Sequence, residues 1–477
     1  MTRGLSRKDI FGILILCFLL SVPLFLFAMP DGLDEVYYHN WICDMICFLI
    51  SFAVLIGMYA KGRIDIFSPV VFVSVIYILM FFIAPVYQIA VGETSIFGVT
   101  DLFDYGVKGS IVALLGFLSF CAVYMRRYQK IPENRGEGSV GRLSAEARRN
   151  LSKWVLLAWT LDFVLGLTIV AATQGFSISY ILTFGMMGEA EVFETTSTTL
   201  GFIGQFTRSI VSLYLIYFCV SDKKVMKGIL FVLTAGLEVI NGFRYMIVIL
   251  ICGLFYLYHM LRGKKISLVK LLGMSVLLAV LIGIVGYTRN SVRAGTGFSM
   301  EGFGLSTIMD AVIGNFEIYK SYYSIIKAVP AMTPYLYFDQ IVVYTLVMAI
   351  PRAIWPGKPS NPGTEAQLYG INRYAVVGGF AYPCLGEYYY GFGTIGVVVF
   401  MGIIGAWLAK ISNRYRRNAQ TELDLVIYCI AVPLMLQLLI RGYTPSNFYL
   451  VLALFIPYWA VKAYAKRFSG VEGRQEF

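Results

Sequence analysis

Seven cations stand in or beside the long apolar runs of this chain, where they are hardest to hold: Arg208, Arg244, Arg289, Arg293, Arg352, Lys358 and Arg441. A charge at membrane depth is expensive, so each is a candidate for function before any other role is assigned. Guanidinium forks match phosphate oxygens with paired hydrogen bonds. Several of them on one face would hold an anion, and a diphosphate is the natural ligand. Arg352 and Lys358 flank Trp355 in the stretch AIPRAIWPGKPSNPG, residues 349–363. Its prolines lack the amide donors that a spanning helix needs, so this piece is a stiff loop that does not cross a bilayer.

Catalytic bases are scarce. His39 sits in a short outer loop and His259 near the inner end of a span, so no histidine serves the long loop described below. No Ser-His-Asp arrangement, phosphate-binding glycine loop or zinc-ligand spacing occurs, and no metal or cofactor is expected. The outer carboxylates are Glu301, Asp310, Glu317, Asp339, Glu365 and Glu387. Glu387, in LGEYYYGFGTIG just before a span, is the best placed of them for acid–base work. Structural alternatives stand beside these readings. Arg208 can pair with Glu238 to stabilise packing. Arg352 can cap a helix carboxyl end, and Trp355 can anchor at the interface. Glu387 can accept from a neighbouring arginine, while Glu317, Lys320 and Lys327 read as solvated positions.

The elements that carry these residues are membrane helices. With 58% hydrophobic and 14% charged residues, against about 25% charged in soluble domains, the chain is an all-α polytopic membrane protein. The net charge of +11 does not indicate nucleic acid, because the cations form short clusters between apolar runs. Twelve spans are expected, at about 10–28, 42–60, 67–90, 106–124, 154–172, 201–220, 228–243, 245–261, 268–286, 394–410, 424–440 and 447–464. The first is too long for a cleavable signal core. The eight cysteines lie mostly inside apolar runs and suggest neither disulfides nor a metal site.

With both termini in the cytoplasm, most of the 39 Lys and Arg residues fall in inner segments, while DGLDE and GEAEVFE fall outside. That threading divides the chain into nine spans over residues 1–286, a large outer loop over 287–393 and three spans over 394–477. It also makes 228–243 and 245–261 a tight hairpin with Arg244 at the outer face. Within the large loop, apolar residues from Leu305 to Ile326 recur at helical spacing, which predicts an amphipathic helix lying on or near the membrane surface. QIVVYTLVMAI is too short to span and suits a re-entrant or buried helix.

NGFR at the hairpin, IPRAIWPGKP in the outer loop and GEYYYGFGTIGVV opening a span together resemble the Wzy-type oligosaccharide repeat-unit polymerases of bacterial surface polysaccharides. The likeness covers roughly residues 230–410. It implies a glycosyltransferase of the bacterial plasma membrane, with a GT-C-like architecture related to the O-antigen ligases. The implied donor and acceptor are undecaprenyl-diphosphate-linked oligosaccharides, joined by a metal-independent inverting displacement on the external face. By match of position Arg244 is the diphosphate-holding arginine, and the reading of the residues above adds Glu387 as the group to take the acceptor proton. Membrane lipids and a chain-length regulator are the implied partners. Some ligases use a loop histidine that this chain lacks. The rivals are an O-antigen ligase, which would share donor and fold, and a lipid-linked oligosaccharide flippase. A flippase would show repeated halves and cations deep in the bundle.

Overall fold

The computed structural model describes residues 7–65, 67–96, 100–129, 141, 143–174, 203–241, 244–262, 273, 280, 304, 313–314, 316–350, 354–358 and 381–468. The expected span at 268–286, together with Arg289, Arg293 and Arg352, falls outside the described residues, apart from positions 273 and 280.

Helices account for almost everything described. In chain order they are α1 (Arg7–Phe27), α2 (Glu35–Ala60), α3 (Pro69–Val91), α4 (Gly106–Arg127), α5 (Ala145–Gln174), α6 (Phe206–Val220), α7 (Lys224–Ile240), α8 (Arg244–Arg262), α9 (Tyr319–Ala328), α10 (Asp339–Met348), α11 (Cys384–Ile411), α12 (Glu422–Ile440) and α13 (Thr444–Phe468). A two-strand hairpin pairs β1 (Ser95–Ile96) with β2 (Thr100–Asp101) between α3 and α4. Among the described residues, nine helices are long and apolar enough to cross a membrane. Three of the twelve expected spans are not in that set: α6 and α7 are shorter, and the third is the one around 268–286.

Their outward faces fit a lipid solvent. α1 exposes Leu16, Leu19, Leu20, Leu24 and Phe27, an arrangement costly in water and neutral against acyl chains. α12 is the opposite case, buried along most of its length at the centre of the bundle. It lies where two cores meet. One is built on α2, α3, α4, α9 and α11, and the other on α5, α6, α7, α8, α12 and α13. α4 and α11 approach closely through small residues. A side chain at Gly405 would lie 2.5 Å from the Phe120 carbonyl oxygen, and Ser119 Oγ donates to the Val398 carbonyl at 2.7 Å.

α11 is broken near its start. Phe392 (φ −143°, ψ 18°) and Gly393 (φ 62°, ψ −148°) leave the helical region, and the left-handed φ suits the residue without a Cβ. The break frees carbonyls that a buried helix cannot leave unpaired. The loop before α10 satisfies them, with Leu336 N–H donating to Tyr390 O at 3.1 Å and Tyr337 N–H to Gly391 O at 3.0 Å.

The described part of the expected surface helix is α9, and it does not lie on a surface. Tyr319, Tyr322, Tyr323, Ile325 and Ile326 are all buried. Its polar side is enclosed too, because Lys320 is not solvated. Lys320 Nζ donates to the carbonyls of Glu93 (2.7 Å) and Ser95 (3.2 Å) and to Gln88 Oε1 (3.2 Å). Gln88 Nε2 in turn donates to Glu317 Oε1 at 2.8 Å, so Glu317 is likewise held by protein. The apolar stripe on the sequence is real, and the strands and α3 supply a polar cover for the other side. Burial lowers the Lys320 ammonium pKa, against the pull of Glu317, Glu93 and Asp101.

Candidate functional site

Glu387 lies in the first turn of α11 and is 2% exposed. Its carboxylate accepts from Gln340 Nε2 at 3.1 Å and from the Thr444 backbone N–H at 3.1 and 3.0 Å to its two oxygens, as well as from the Thr444 hydroxyl. One carboxylate thus joins α10, α11 and α13, and its oxygens face protein donors. Gln340 also donates to the Tyr382 hydroxyl.

This junction depends on a close backbone approach. The turn Arg441–Gly442–Tyr443 between α12 and α13 lies against the start of α11, with Gly442 N–H donating to Tyr382 O at 2.7 Å. A Cβ at Gly442 would lie 2.3 Å from the Cys384 backbone nitrogen and Cα. Only glycine brings Thr444 down onto Glu387 here. The same turn sets Arg441 at the end of α12, where Asn447 Nδ2 donates to its carbonyl. Among the described residues no polar partner meets the Arg441 guanidinium.

The loop carrying Trp355 is attached to this junction. Tyr443 packs against Tyr344 with ring centroids 6.3 Å apart, and Lys358 Nζ sits 5.9 Å from the Tyr344 ring centre. Lys358 Nζ donates to the carbonyls of Met348 (2.8 Å) and Ile350 (3.1 Å), so it caps the end of α10. Ile354 and Trp355 project from the loop and are exposed.

Arg208 approaches from the other side of α13. It ends the 3₁₀ turn at the start of α6, and its Nη1 donates to the Tyr245 hydroxyl at 2.7 Å. Tyr245 follows Arg244, the residue that opens α8. Glu238 is buried within electrostatic range of Arg208 and Asp162. Asp162 Oδ2 accepts from Ser209 Oγ at 2.5 Å. The two halves meet on Tyr449 of α13, whose ring faces Phe206 at 6.3 Å while its hydroxyl donates to Thr345 O at 2.8 Å. Arg208, held to Tyr245 at the start of α8, thus lies on the side of α13 where Phe206 meets Tyr449, while Arg441 and Glu387 stand at the first turn of α13.

Sequence reasoning missed Gln340, Thr444 and Tyr245, which complete this arrangement. The Thr-Pro pair after Gly442 was a helix-start signal, though nothing in it named Glu387 as the partner. It also passed over Asp162 and Asp44, the latter buried within α2 and accepting from Ser110 Oγ. Among the described residues no group of three or more His, Cys, Asp or Glu could hold a metal ion.

No curated protein and no solved structure matches the chain. Residues 10–469 match the family described as O-antigen polysaccharide polymerase Wzy. That match takes in the hairpin at Arg244, the loop around Trp355 and the junction at Glu387 in one alignment, and by it the chain belongs to the Wzy family of O-antigen polysaccharide polymerases.

Proposed function

We propose that this protein polymerises undecaprenyl-diphosphate-linked oligosaccharide repeat units on the external face of the bacterial plasma membrane. Both its termini are then cytoplasmic. The observation that carries the reading is that Arg208, tied to Tyr245 beside Arg244, and Arg441 both lie by the first turns of α13. The positive-inside asymmetry supports reading this end of the bundle as the outer one. Arginines there would hold the donor diphosphate, with Arg289, Arg293 and Arg352 from the large loop completing the set.

In the reaction the acceptor hydroxyl attacks the anomeric carbon of the growing chain, the bond from that carbon to the diphosphate oxygen breaks, the hydroxyl proton passes to water at the external face, and the configuration inverts. The departing diphosphate is a weak base, so charge neutralisation by guanidinium groups serves it better than a proton. Glu387 is a positioning residue in this scheme. Its oxygens already accept from Gln340 and Thr444, and its burial keeps it from an acceptor hydroxyl. Lys358 likewise fixes the loop to α10, which leaves Trp355 exposed to lie against sugar or lipid. The twelve-span topology, the division at 287 and 393, the GT-C-like relationship and a chain-length regulator as partner belong to the same proposal.

The test is complementation of a deletion in the native host with wild type, Arg208→Lys, Arg244→Ala or Arg441→Ala, with insertion of each variant verified and the size ladder of surface polysaccharide as readout. The deletion and Arg244→Ala are expected to leave single repeat units on the final acceptor. Arg208→Lys keeps the charge but not the planar fork, and is expected to shorten the ladder. Long chains stranded on the carrier lipid would instead make the protein a ligase. Units trapped on the inner face would make it a flippase.

A further inference from the structure

At the opposite end of α11 from Glu387, roughly 30 Å away at 1.5 Å per residue, a cleft of about 700 Å³ opens between α4, α11, α12 and α13. Its charged lining is Arg127, Lys410, Arg414, Lys462 and Asp424, and the other side chains are neutral amides and Ala406. Lys462 is matched by Asp424, to which it donates. Arg127, Lys410 and Arg414 are exposed, and among the described residues no carboxylate pairs with them. Among the described residues, the cleft therefore carries net positive charge.

The surface leading to it is apolar. On α11, Ile395, Val399 and Ile403 are 74%, 51% and 54% exposed, and Ala406 and Lys410 of the same helix line the cleft. At 100° per residue these five positions fall within an arc of about 80°, so they form one stripe along the helix. A chain-shaped apolar track thus ends in a cationic pocket. Free phosphate would use only the pocket, whereas a phospholipid would use both parts.

We propose that this cleft is a binding site for an anionic phospholipid carrying two phosphates joined by a short polar link, with one acyl chain lying along the Ile395–Ile403 stripe. Arg127, Lys410 and Arg414, which have no carboxylate partner among the described residues, fit two phosphate charges, and the amides supply donors to the link. With the orientation proposed above, this lipid belongs to the cytoplasmic leaflet. The site is separate from the diphosphate-binding end, so either can fail without the other.

The experiment uses the full-length protein purified from vesicles of phosphatidylcholine doped with tetraoleoyl cardiolipin, and counts the lipid retained by native mass spectrometry. Wild type is expected to keep one cardiolipin through delipidation. Lys410→Ala/Arg414→Ala is expected to bind it about thirty-fold more weakly, from the usual contribution of two cations at an anionic headgroup, and Lys410→Arg is expected to retain it. Val399→Ser/Ile403→Ser is also expected to weaken retention. Lys223→Ala/Lys224→Ala, which removes two exposed cations elsewhere, is expected to change nothing. Three outcomes overturn the proposal: loss of lipid in the Lys223/Lys224 control to the same degree, an unaffected stripe variant, or full displacement of the lipid by inorganic pyrophosphate. The last would make the cleft a site for soluble anions.

Discussion

Replacing Thr444 with valine removes one hydroxyl and keeps the shape, and it asks whether Glu387 positions helices or handles protons. In the native junction Glu387 accepts from the Thr444 hydroxyl, the Thr444 backbone N–H and Gln340. Valine preserves the backbone donor and the Gln340 bond. What disappears is one hydrogen bond to a carboxylate, worth about 1.5–3 kcal/mol. A junction loosened by that amount opens locally about ten- to 150-fold more often, since each 1.4 kcal/mol is a factor of ten. The opening has a built-in reporter. Cys384, three residues before Glu387, is buried beneath Gly442 and lies at the same contact.

The assay is the rate of Cys384 alkylation in detergent, read by peptide mass spectrometry so that the other seven cysteines serve as internal controls. Thr444→Val should accelerate labelling of Cys384 by about the factor above and leave Cys429, buried within α12, unchanged. Polysaccharide chain length should shorten in proportion. The reasoning is refuted if polymerisation collapses while Cys384 stays as protected as in wild type. That result would mean the Thr444 hydroxyl and Glu387 act on the reacting groups themselves, and that the junction is held by something other than this carboxylate.

Three further perturbations test the packing that sets up the site. Gly442→Ala forces a Cβ to within 2.3 Å of the Cys384 backbone; overpacking of this kind costs about 1–3 kcal/mol or more, so the yield of monodisperse protein on size-exclusion chromatography should drop sharply. Lys320→Met strands the carbonyls of Glu93 and Ser95 and the Gln88 amide, at about 1–3 kcal/mol for each unsatisfied group; a clear fall in melting temperature is expected, where a solvated lysine would give none. Asp101 accepts from the Tyr37 hydroxyl at 2.6 Å and from Phe103 N–H at 2.9 Å. Burial raises its pKa, but these bonds and that from Thr94 outweigh it and hold the carboxyl below its usual 3.8. The unfolded chain therefore binds more protons in that range, and Asp101 contributes stability that is complete above pH 3.8 and lost as pH falls through the depressed value. Asp101→Asn should flatten this acid limb of a melting-temperature profile.

How far the sequence can be read depends on which kind of constraint a residue answers to. Span positions were legible because a bilayer imposes length and apolarity locally, and the nine long helices found among the described residues follow from runs visible in the chain. α9 was misplaced because its stripe is compatible with any apolar neighbour, lipid or protein. Only the pairing of Lys320 with the carbonyls of a distant hairpin decides the matter, and that contact spans more than 220 residues. Glu387 shows the same limit more sharply. Proximity to a span marked it as unusual, but a buried carboxylate looks identical in sequence whether it awaits a proton or bridges three helices. The difference lies in Thr444, which is 57 residues away and is brought into reach by Gly442 alone. Charges at membrane depth can therefore be found from sequence, whereas their roles depend on partners that only tertiary contact supplies. For Arg441, among the described residues, tertiary contact supplies no polar partner to the guanidinium, so its role is the one that substitution alone can assign.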